Sequence, residues 1–370
     1  MASTLSQAGK AWSWFIGSLT NHKSMAAYFE PIIQGVLPAW RSDKIRTQVR
    51  EIRYENADMF TLVLKPSKQW QGFSAGQYIE LTVQKDGAWI SRFFSISSSP
   101  TYFQRTGLIE LSIRIQEKGR ITPWLPQALH KGEFVNISPA LGDFTLDSKP
   151  ASVCFIAGGS GITPFRSMLQ NIQLEQTQSK QAITLMYYAR SAQHFAFADD
   201  FEQLAAQHSN ITLKLINSEI DGNISSNHLE YFSQANKDTH FYVCGPSPMI
   251  QSARQLLKER NYPDDQVHYE FFGPEPIHTD IQTDATQVLF ARSHKQVSST
   301  QNSQQTLLEL AESHDLKPVS GCRMGVCHQC ICQKQSGVVY NTKTKTYSDT
   351  GAQEIQLCVS LPINDVVLDL

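Results

Sequence analysis

The sequence predicts a multidomain chain: an antiparallel β-barrel, then an α/β domain on a parallel sheet, then a small α+β domain. Three observations predict it. Between residues 45 and 148, short β-branched and aromatic runs recur with Gly72, Gly76, Gly87 and Gly107 between them, the rhythm of a barrel. After Pro150 strand-like and helix-like stretches alternate, which calls for a parallel sheet. Near the C-terminus, Cys322-x4-Cys327-x2-Cys330 is followed by Cys358. A chain of 370 residues has room for roughly two to three separate cores.

Taken in order, residues 1–44 form an N-terminal helical extension. Ala11, Trp12, Trp14, Phe15, Ile16 and Leu19 make one apolar cluster, and Met25, Phe29, Ile32, Val36 and Trp40 recur at helical spacing. Pro31 and Pro38 break it into short pieces. This apolar stripe either packs on the body of the protein or, through residues 11–40, touches a membrane or a membrane-bound partner. In the barrel region 45–148, strands are expected at 59–64, 78–83, 90–96, 108–115 and 134–137. In 149–273 the expected strands are 153–157, 183–188, 211–216 and 241–244, with helices from Pro164, over 198–206 and over 248–260. Gly273, Pro274 and Pro276 mark a linker over 274–285. The last domain, 286–370, has strand signals at 288–291 and 338–340 and a short helix at 306–313, with a polar turn before it at 300–305.

Charge narrows the function. Lys plus Arg total 32 against 34 Asp plus Glu, a balance without the basic surface that nucleic acid requires. The cysteines, four at metal-ligand spacing and Cys154 and Cys244 isolated in apolar runs, suit a reducing compartment. With no secretory signal pattern and no apolar run of about 18 to 20 residues, the expected location is cytoplasmic, with peripheral attachment to a membrane's inner face as an option.

The spacing of Cys322, Cys327, Cys330 and Cys358 is that of thiolates holding a plant-type [2Fe–2S] cluster. Two tight intervals let one loop wrap the cluster, and the distant fourth cysteine closes it. Gly321 and Gly325 leave room for backbone amides to approach sulfur. A zinc site is the alternative, although zinc usually takes two close pairs of ligands rather than a triplet. His328 reads as a surface residue and Cys332 as a small apolar one.

Upstream, Arg92-Phe93-Phe94-Ser95 ends an expected barrel strand, and Gly119-Arg120-Ile121-Thr122 follows. This pair resembles the ferredoxin-NADP reductase superfamily, whose Arg-x-Tyr/Phe-Ser motif has the same form, over roughly residues 47–273. The resemblance implies that Arg92 meets a flavin phosphate, that Phe94 lies against the isoalloxazine and that Ser95 hydrogen-bonds near N5. Gly119 to Thr122 would open a short helix seating the second phosphate, which favours FAD over FMN. Phe94 stands where the family usually has tyrosine, and Gly76-Gln77-Tyr78 is similar to its turn before the third strand.

The run Val153 to Ala157 leads into Gly158-Gly159-Ser160-Gly161-Ile162-Thr163-Pro164, where Thr163 is expected to cap a helix and Pro164 to take its first position. Small residues there let the backbone approach a pyrophosphate. It departs from the Gly-x-Gly-x-x-Gly fingerprint and matches the superfamily's Gly-x-x-Thr-Pro, at Gly161, Thr163 and Pro164. Cys244-Gly245-Pro246 ends another strand, and the resemblance places Cys244 beside the nicotinamide C4. Arg190 and Ser191 stand where a 2′-phosphate would be read, and a guanidinium forks well onto phosphate, so NADPH is favoured over NADH.

The order flavin, nicotinamide, [2Fe–2S] is similar to the phthalate dioxygenase reductase type, whose last module is a β-grasp ferredoxin. It implies an oxidoreductase passing hydride from NAD(P)H to FAD, with Ser95 and Cys244 at the reacting centre, and single electrons onward through the cluster. The loop Arg323 to Gln329 is then the expected docking surface. The N-terminal extension looks like that of reductases paired with acyl desaturases, so the expected acceptor is a membrane-bound fatty acyl desaturase or hydroxylase. A soluble Rieske or di-iron aromatic oxygenase is the alternative acceptor, and a redox-sensing iron–sulfur protein the alternative of another class.

Overall fold

A computed structural model describes residues 44–117, 119, 121–146, 150–175, 181–232, 238–272, 285–300, 303–321, 323, 325 and 328–370. The N-terminal extension before Lys44 and the linker up to residue 284 lie outside the described residues, as do Arg120, Cys322 and Cys327. Among the described residues no helix is long and apolar enough to cross a membrane.

Barrel strands are β1 (Ile45–Asn56), β2 (Met59–Pro66), β3 (Tyr78–Lys85), β4 (Ala88–Ser95), β5 (Ile109–Arg114) and β6 (Phe134–Ile137). They pair antiparallel in the order β4-β3-β6-β1-β2-β5. Just past β4, the Ser97 amide donates to the Glu110 carbonyl of β5 at 2.8 Å, which brings the two ends of the sheet together. Alternate residues such as Leu62, Leu64, Ile79, Leu81, Leu111 and Ile137 fill the interior, as a half-buried strand's period of two requires. Helix α1 (Pro100–Thr106) bridges β4 and β5, capped by Ser99 Oγ accepting the Tyr102 amide at 3.0 Å. A four-residue α2 (Leu125–Ala128) follows β5.

The next sheet holds β7 (Ser152–Gly158), β8 (Ala182–Ala189), β9 (Ile211–Asn217), β10 (Thr239–Gly245) and β11 (Val267–Phe271), in the order β11-β10-β7-β8-β9. β7, β8 and β9 run parallel, and β7 is buried along its whole length, as a strand covered on both faces must be. The helices in this stretch of the chain are α3 (Ile162–Glu175), α4 (Ala198–Gln207) and α5 (Ser247–Glu259). The strand order reverses between β7 and β10, the kind of switch point at which open α/β sheets bind ligands.

By internal contacts the chain divides into two units, one running to Val243 and including Asn261–His268, the other made of Cys244–Arg260 and Tyr269–Leu370. In the second, β12 (Thr286–Phe290), β13 (Lys295–Ser299), β14 (Ile331–Ser336), β17 (Gln353–Gln356) and β19 (Val366–Leu368) form a mixed sheet in the order β13-β12-β19-β14-β17. β15 (Val339–Asn341), β16 (Thr346–Tyr347) and β18 (Ser360–Pro362) make a smaller one. Helix α6 (Leu307–Ser313) starts in a capping box, with Thr306 and Glu309 satisfying each other's amides at 3.2 and 2.9 Å. Leu307, Leu308, Leu310 and Ala311 of α6 enter one core with Cys330, Cys332 and Cys358.

Candidate functional site

On β4, register pairs Arg92 with Leu81, Phe94 with Ile79 and Ser95 with Tyr78. Strand alternation therefore puts Arg92 and Phe94 on one face, Phe93 and Ser95 on the other. Phe94 rests against the barrel core, Phe93 meets the Tyr78 ring edge-on at 5.6 Å, and Arg92 Nη1 donates to the Ser91 carbonyl at 2.7 Å. The Ser95 hydroxyl is buried and has no hydrogen-bond partner among the described residues. A buried hydroxyl carries a desolvation cost unless something accepts its proton or donates to it, so this atom fits a bound group with polar atoms.

Gly119 and Thr122 close a tight loop: the Gly119 amide donates to the Gln116 carbonyl at 2.6 Å, and Thr122 Oγ1 accepts the Gln116 amide at 2.9 Å. A Cβ on Gly119 would lie 2.9 Å from Gln116 and 3.0 Å from Thr122 Oγ1, so the loop needs glycine on space alone. Ile121 is buried beneath it and Arg120 lies outside the described residues.

At the end of β7 a 3₁₀ turn, Gly159–Gly161, runs straight into α3. The helix thus begins at Ile162, two residues before the expected start, because the 3₁₀ turn has already wound the chain. Pro164 sits inside the first turn rather than at its first position. Thr163 does not cap; its Oγ1 donates back to the Ser160 carbonyl at 2.9 Å and tightens the turn. Gly159 has φ +53°, in the left-handed region, and its missing side chain leaves the backbone open toward Arg114, whose Nη1 is 3.5 Å from where a Cβ would be. After β8, Arg190 is exposed, and the Ser191 hydroxyl pairs with His194 Nδ1 at 2.7 Å.

Cys244 is fully buried, and burial pushes its thiol well above the ordinary value, helped by the Glu270 carboxylate. It is a neutral thiol at physiological pH, not a nucleophile. Gly245 ends β10 and Pro246 leads into α5 with extended backbone. Sequence reading missed Glu270, on β11; the only signal is an acid in an otherwise aromatic strand end, His268-Tyr269-Glu270-Phe271.

In the C-terminal unit, Cys330 and Cys358 are buried, and the Gly325 amide donates to Cys358 Sγ at 3.3 Å. Arg323, Gly325 and His328 all have positive φ, near +60°, a left-handed conformation of the kind found where backbone amides form a nest. The Gly325 carbonyl is held by Lys343 Nζ at 3.0 Å and Gln356 Nε2 at 3.2 Å, and Arg323 forks onto Glu312 of α6, one of the two bonds being 2.8 Å. Soft thiol donors supplied with amide hydrogen bonds fit an iron–sulfur cluster. Cys322 and Cys327 lie outside the described residues. His328 is exposed, Nδ1 3.1 Å from Gln356 Nε2, and Cys332 packs in the core with its thiol raised by burial.

Comparison with known proteins agrees module by module. The model of the oxidoreductase FAD-binding domain matches residues 45–146, that of the oxidoreductase NAD-binding domain 155–255, and that of the 2Fe-2S iron-sulfur cluster binding domain 292–362. An NADPH oxidoreductase of Mycobacterium tuberculosis is 28% identical over 338 residues, covering 90% of this chain and 86% of the relative. The glycine betaine monooxygenase reductase subunit of Pseudomonas aeruginosa is 27% identical over 325 residues, covering 80% and 87%. In structure, phthalate dioxygenase reductase superposes with a TM-score of 0.59 at 23% identity, covering 88% of this chain and 98% of its own. The chain is an oxidoreductase built of an FAD-binding, an NAD-binding and a 2Fe-2S cluster binding domain in that order, and it shares the fold of phthalate dioxygenase reductase.

Proposed function

We propose that this protein carries electrons from NADPH to a membrane-bound fatty acyl desaturase or hydroxylase, one at a time. The observation that carries the electron path is the order of its three modules along one chain. When bound, FAD would supply acceptance of a hydride, two electrons with one proton, from NAD(P)H, and the cluster would supply release of electrons singly. The residues do the placing. Arg92, Phe93 and Phe94 would hold the flavin, with Arg92 on one of its phosphates, the loop Gly119 to Thr122 would take the second phosphate, and the Ser95 hydroxyl would donate to the ring near the reacting atom. Gly161, Thr163, Pro164, Gly245 and Pro246 line the nicotinamide site, Arg190 and Ser191 read a 2′-phosphate, and the neutral Cys244 thiol fills the space by the transferring carbon. Cys322, Cys327, Cys330 and Cys358 hold the cluster. The modules run 45–148, 149–273 and 286–370, with a linker at 274–285.

The desaturase reading is supported by the apolar, tryptophan-bearing residues 11–40, which suit a protein working at the cytoplasmic face of a membrane. A soluble oxygenase partner is the second reading, favoured by the likeness to reductases named for phthalate dioxygenase and glycine betaine monooxygenase. Removal of residues 1–40 separates the two. The truncated protein should reduce cytochrome c with NADPH as well as the full chain does, yet support a membrane desaturase poorly. Equal support by both forms, together with full turnover of a soluble oxygenase, would move the assignment to the second reading.

Ser95→Ala offers a check on the flavin-side role. A donor aimed at the reacting atom and held in a buried site should be worth about a hundredfold in the rate of flavin reduction by NADPH. FAD content should stay near wild type, because the hydroxyl has no hydrogen-bond partner among the described residues to lose. An unaltered rate would remove Ser95 from the reacting centre.

A further inference from the structure

The first turns of α3 are buried without a break from Ile162 to Leu169, yet Arg166 and Ser167 stand among them. An ionised side chain is rarely buried unless something holds it. Both residues reach across to the barrel. Arg166 Nη1 donates to Glu110 Oε2 of β5 at 2.6 Å and to the Ser97 carbonyl at 3.2 Å, and Ser167 Oγ donates to the Ser98 carbonyl at 2.6 Å. Ser98 Oγ in turn accepts the Glu110 amide at 3.0 Å. A second guanidinium, Arg53, shares Glu110 through Oε1 at 3.3 Å, so one carboxylate serves two cations. On its far side the Arg166 guanidinium lies 4.2 Å from the ring centre of Phe197, a residue held at φ +62° at the head of α4.

The two segments tied together are the ones that bracket the chemistry. Ser97 and Ser98 follow Ser95 by two and three residues, and Arg166 follows the Gly159–Pro164 turn by two. We propose that Arg166 is a positioning residue, clamping the nicotinamide turn to the flavin strand through Glu110 and Ser97 so that hydride donor and acceptor meet at a fixed separation. This rests on the NAD(P)H-to-flavin function stated above. Arg166 neither gains nor loses anything in the transfer; it sets a distance. A guanidinium is suited to this, since its fork serves carboxylate and carbonyl together, which a lysine ammonium does less well.

The test uses the full-length protein carrying FAD and cluster, mixed rapidly with a range of NADPH concentrations while flavin absorbance is followed. Arg166→Met should lower the limiting rate of flavin reduction about tenfold to a hundredfold, as small misplacements of reacting groups do, with the apparent Kd for NADPH moved less than about threefold. Arg166→Lys should recover part of that rate, and Glu110→Gln should fall between the two. A limiting rate for Arg166→Met equal to wild type, or a raised Kd with the rate intact, would overturn the proposal. Should Arg166→Met not retain FAD, the milder Arg166→Lys and Glu110→Gln variants decide, and wild-type limiting rates in both overturn it. A wild-type flavin that neither NADPH nor NADH bleaches would instead remove the functional reading, and the clamp with it; a bleaching flavin indifferent to Arg166 removes the clamp alone.

Discussion

Cys358→Ser is expected to disconnect flavin from acceptor. Its Sγ is buried in the C-terminal core and receives the Gly325 amide at 3.3 Å, an arrangement that supports a thiolate. Serine keeps the shape but offers a harder oxygen whose proton is not released near neutral pH. Loss of a mere partner of a ligand typically costs 10- to 100-fold in metal affinity, so replacing the ligand should cost more than about a hundredfold. Iron and sulfide per flavin should fall toward zero, and NADPH-driven reduction of cytochrome c should fall with them. Flavin bleaching by NADPH should continue at the wild-type rate, because its residues belong to other modules. Cys332→Ser is the comparison: Cys332 is as buried and nearby in sequence, but its thiol packs against the core and lies outside the x4, x2 spacing. Full iron content in Cys358→Ser, or equal loss in both variants, would contradict the ligand assignment.

That contrast also shows what could be read before the fold was known. The 2Fe-2S module was legible because its chemistry is local: close cysteine intervals of the x4, x2 kind mark a loop able to wrap such a cluster. Strands such as Met59–Pro66 and Ser152–Gly158 were legible because burial demands continuous apolar text. β1 was not seen as a strand, since Ile45–Asn56 carries charged residues on its outer face and a bulge near Arg50 that breaks its alternation. β14 was missed for another reason: Ile331–Ser336 reads as polar text. Its Lys334 is buried all the same, since Nζ donates to the Asp349 carbonyl at 2.9 Å and to the Gly351 carbonyl, acceptors that no local pattern announces. Glu110 and Arg166 stand 56 residues apart, and only the docking of α3 on the barrel brings them together. Local chemistry leaves a trace in the sequence, whereas pairings between modules depend on the assembled fold.

Gly76→Ala should destabilise the barrel and its seam with α3 more than any other alanine substitution at a left-handed glycine there. Gly76 has φ +99°, and an added Cβ would stand 2.0 Å from the Phe144 carbonyl oxygen and 2.5 Å from Met168 Cε. Met168 could swing its thioether away; the carbonyl is backbone and cannot. Phe144 is also fixed from its other side, its ring packed edge-on against Phe165 and Tyr242 at 5.8 and 5.7 Å. Strained backbone costs about 1–3 kcal/mol and overpacking about as much again, so a loss of about 4 kcal/mol is expected. Against a typical stability of about 5–15 kcal/mol that is a large fraction, and for a unit of this size Tm should fall by about 10 °C. Gly107→Ala separates strain from clash. Gly107 is left-handed too, at φ +67°, but a Cβ there meets nothing within 4 Å, so its cost should stay near the strain alone, about 1–2 kcal/mol. Calorimetry paired with the temperature of FAD release measures both variants. Gly76→Ala should release flavin first by a wide margin, with iron absorbance of the C-terminal module melting as in wild type; equal shifts for the two glycines would mean that the Phe144 carbonyl yields and the rim of the barrel is softer than its packing implies.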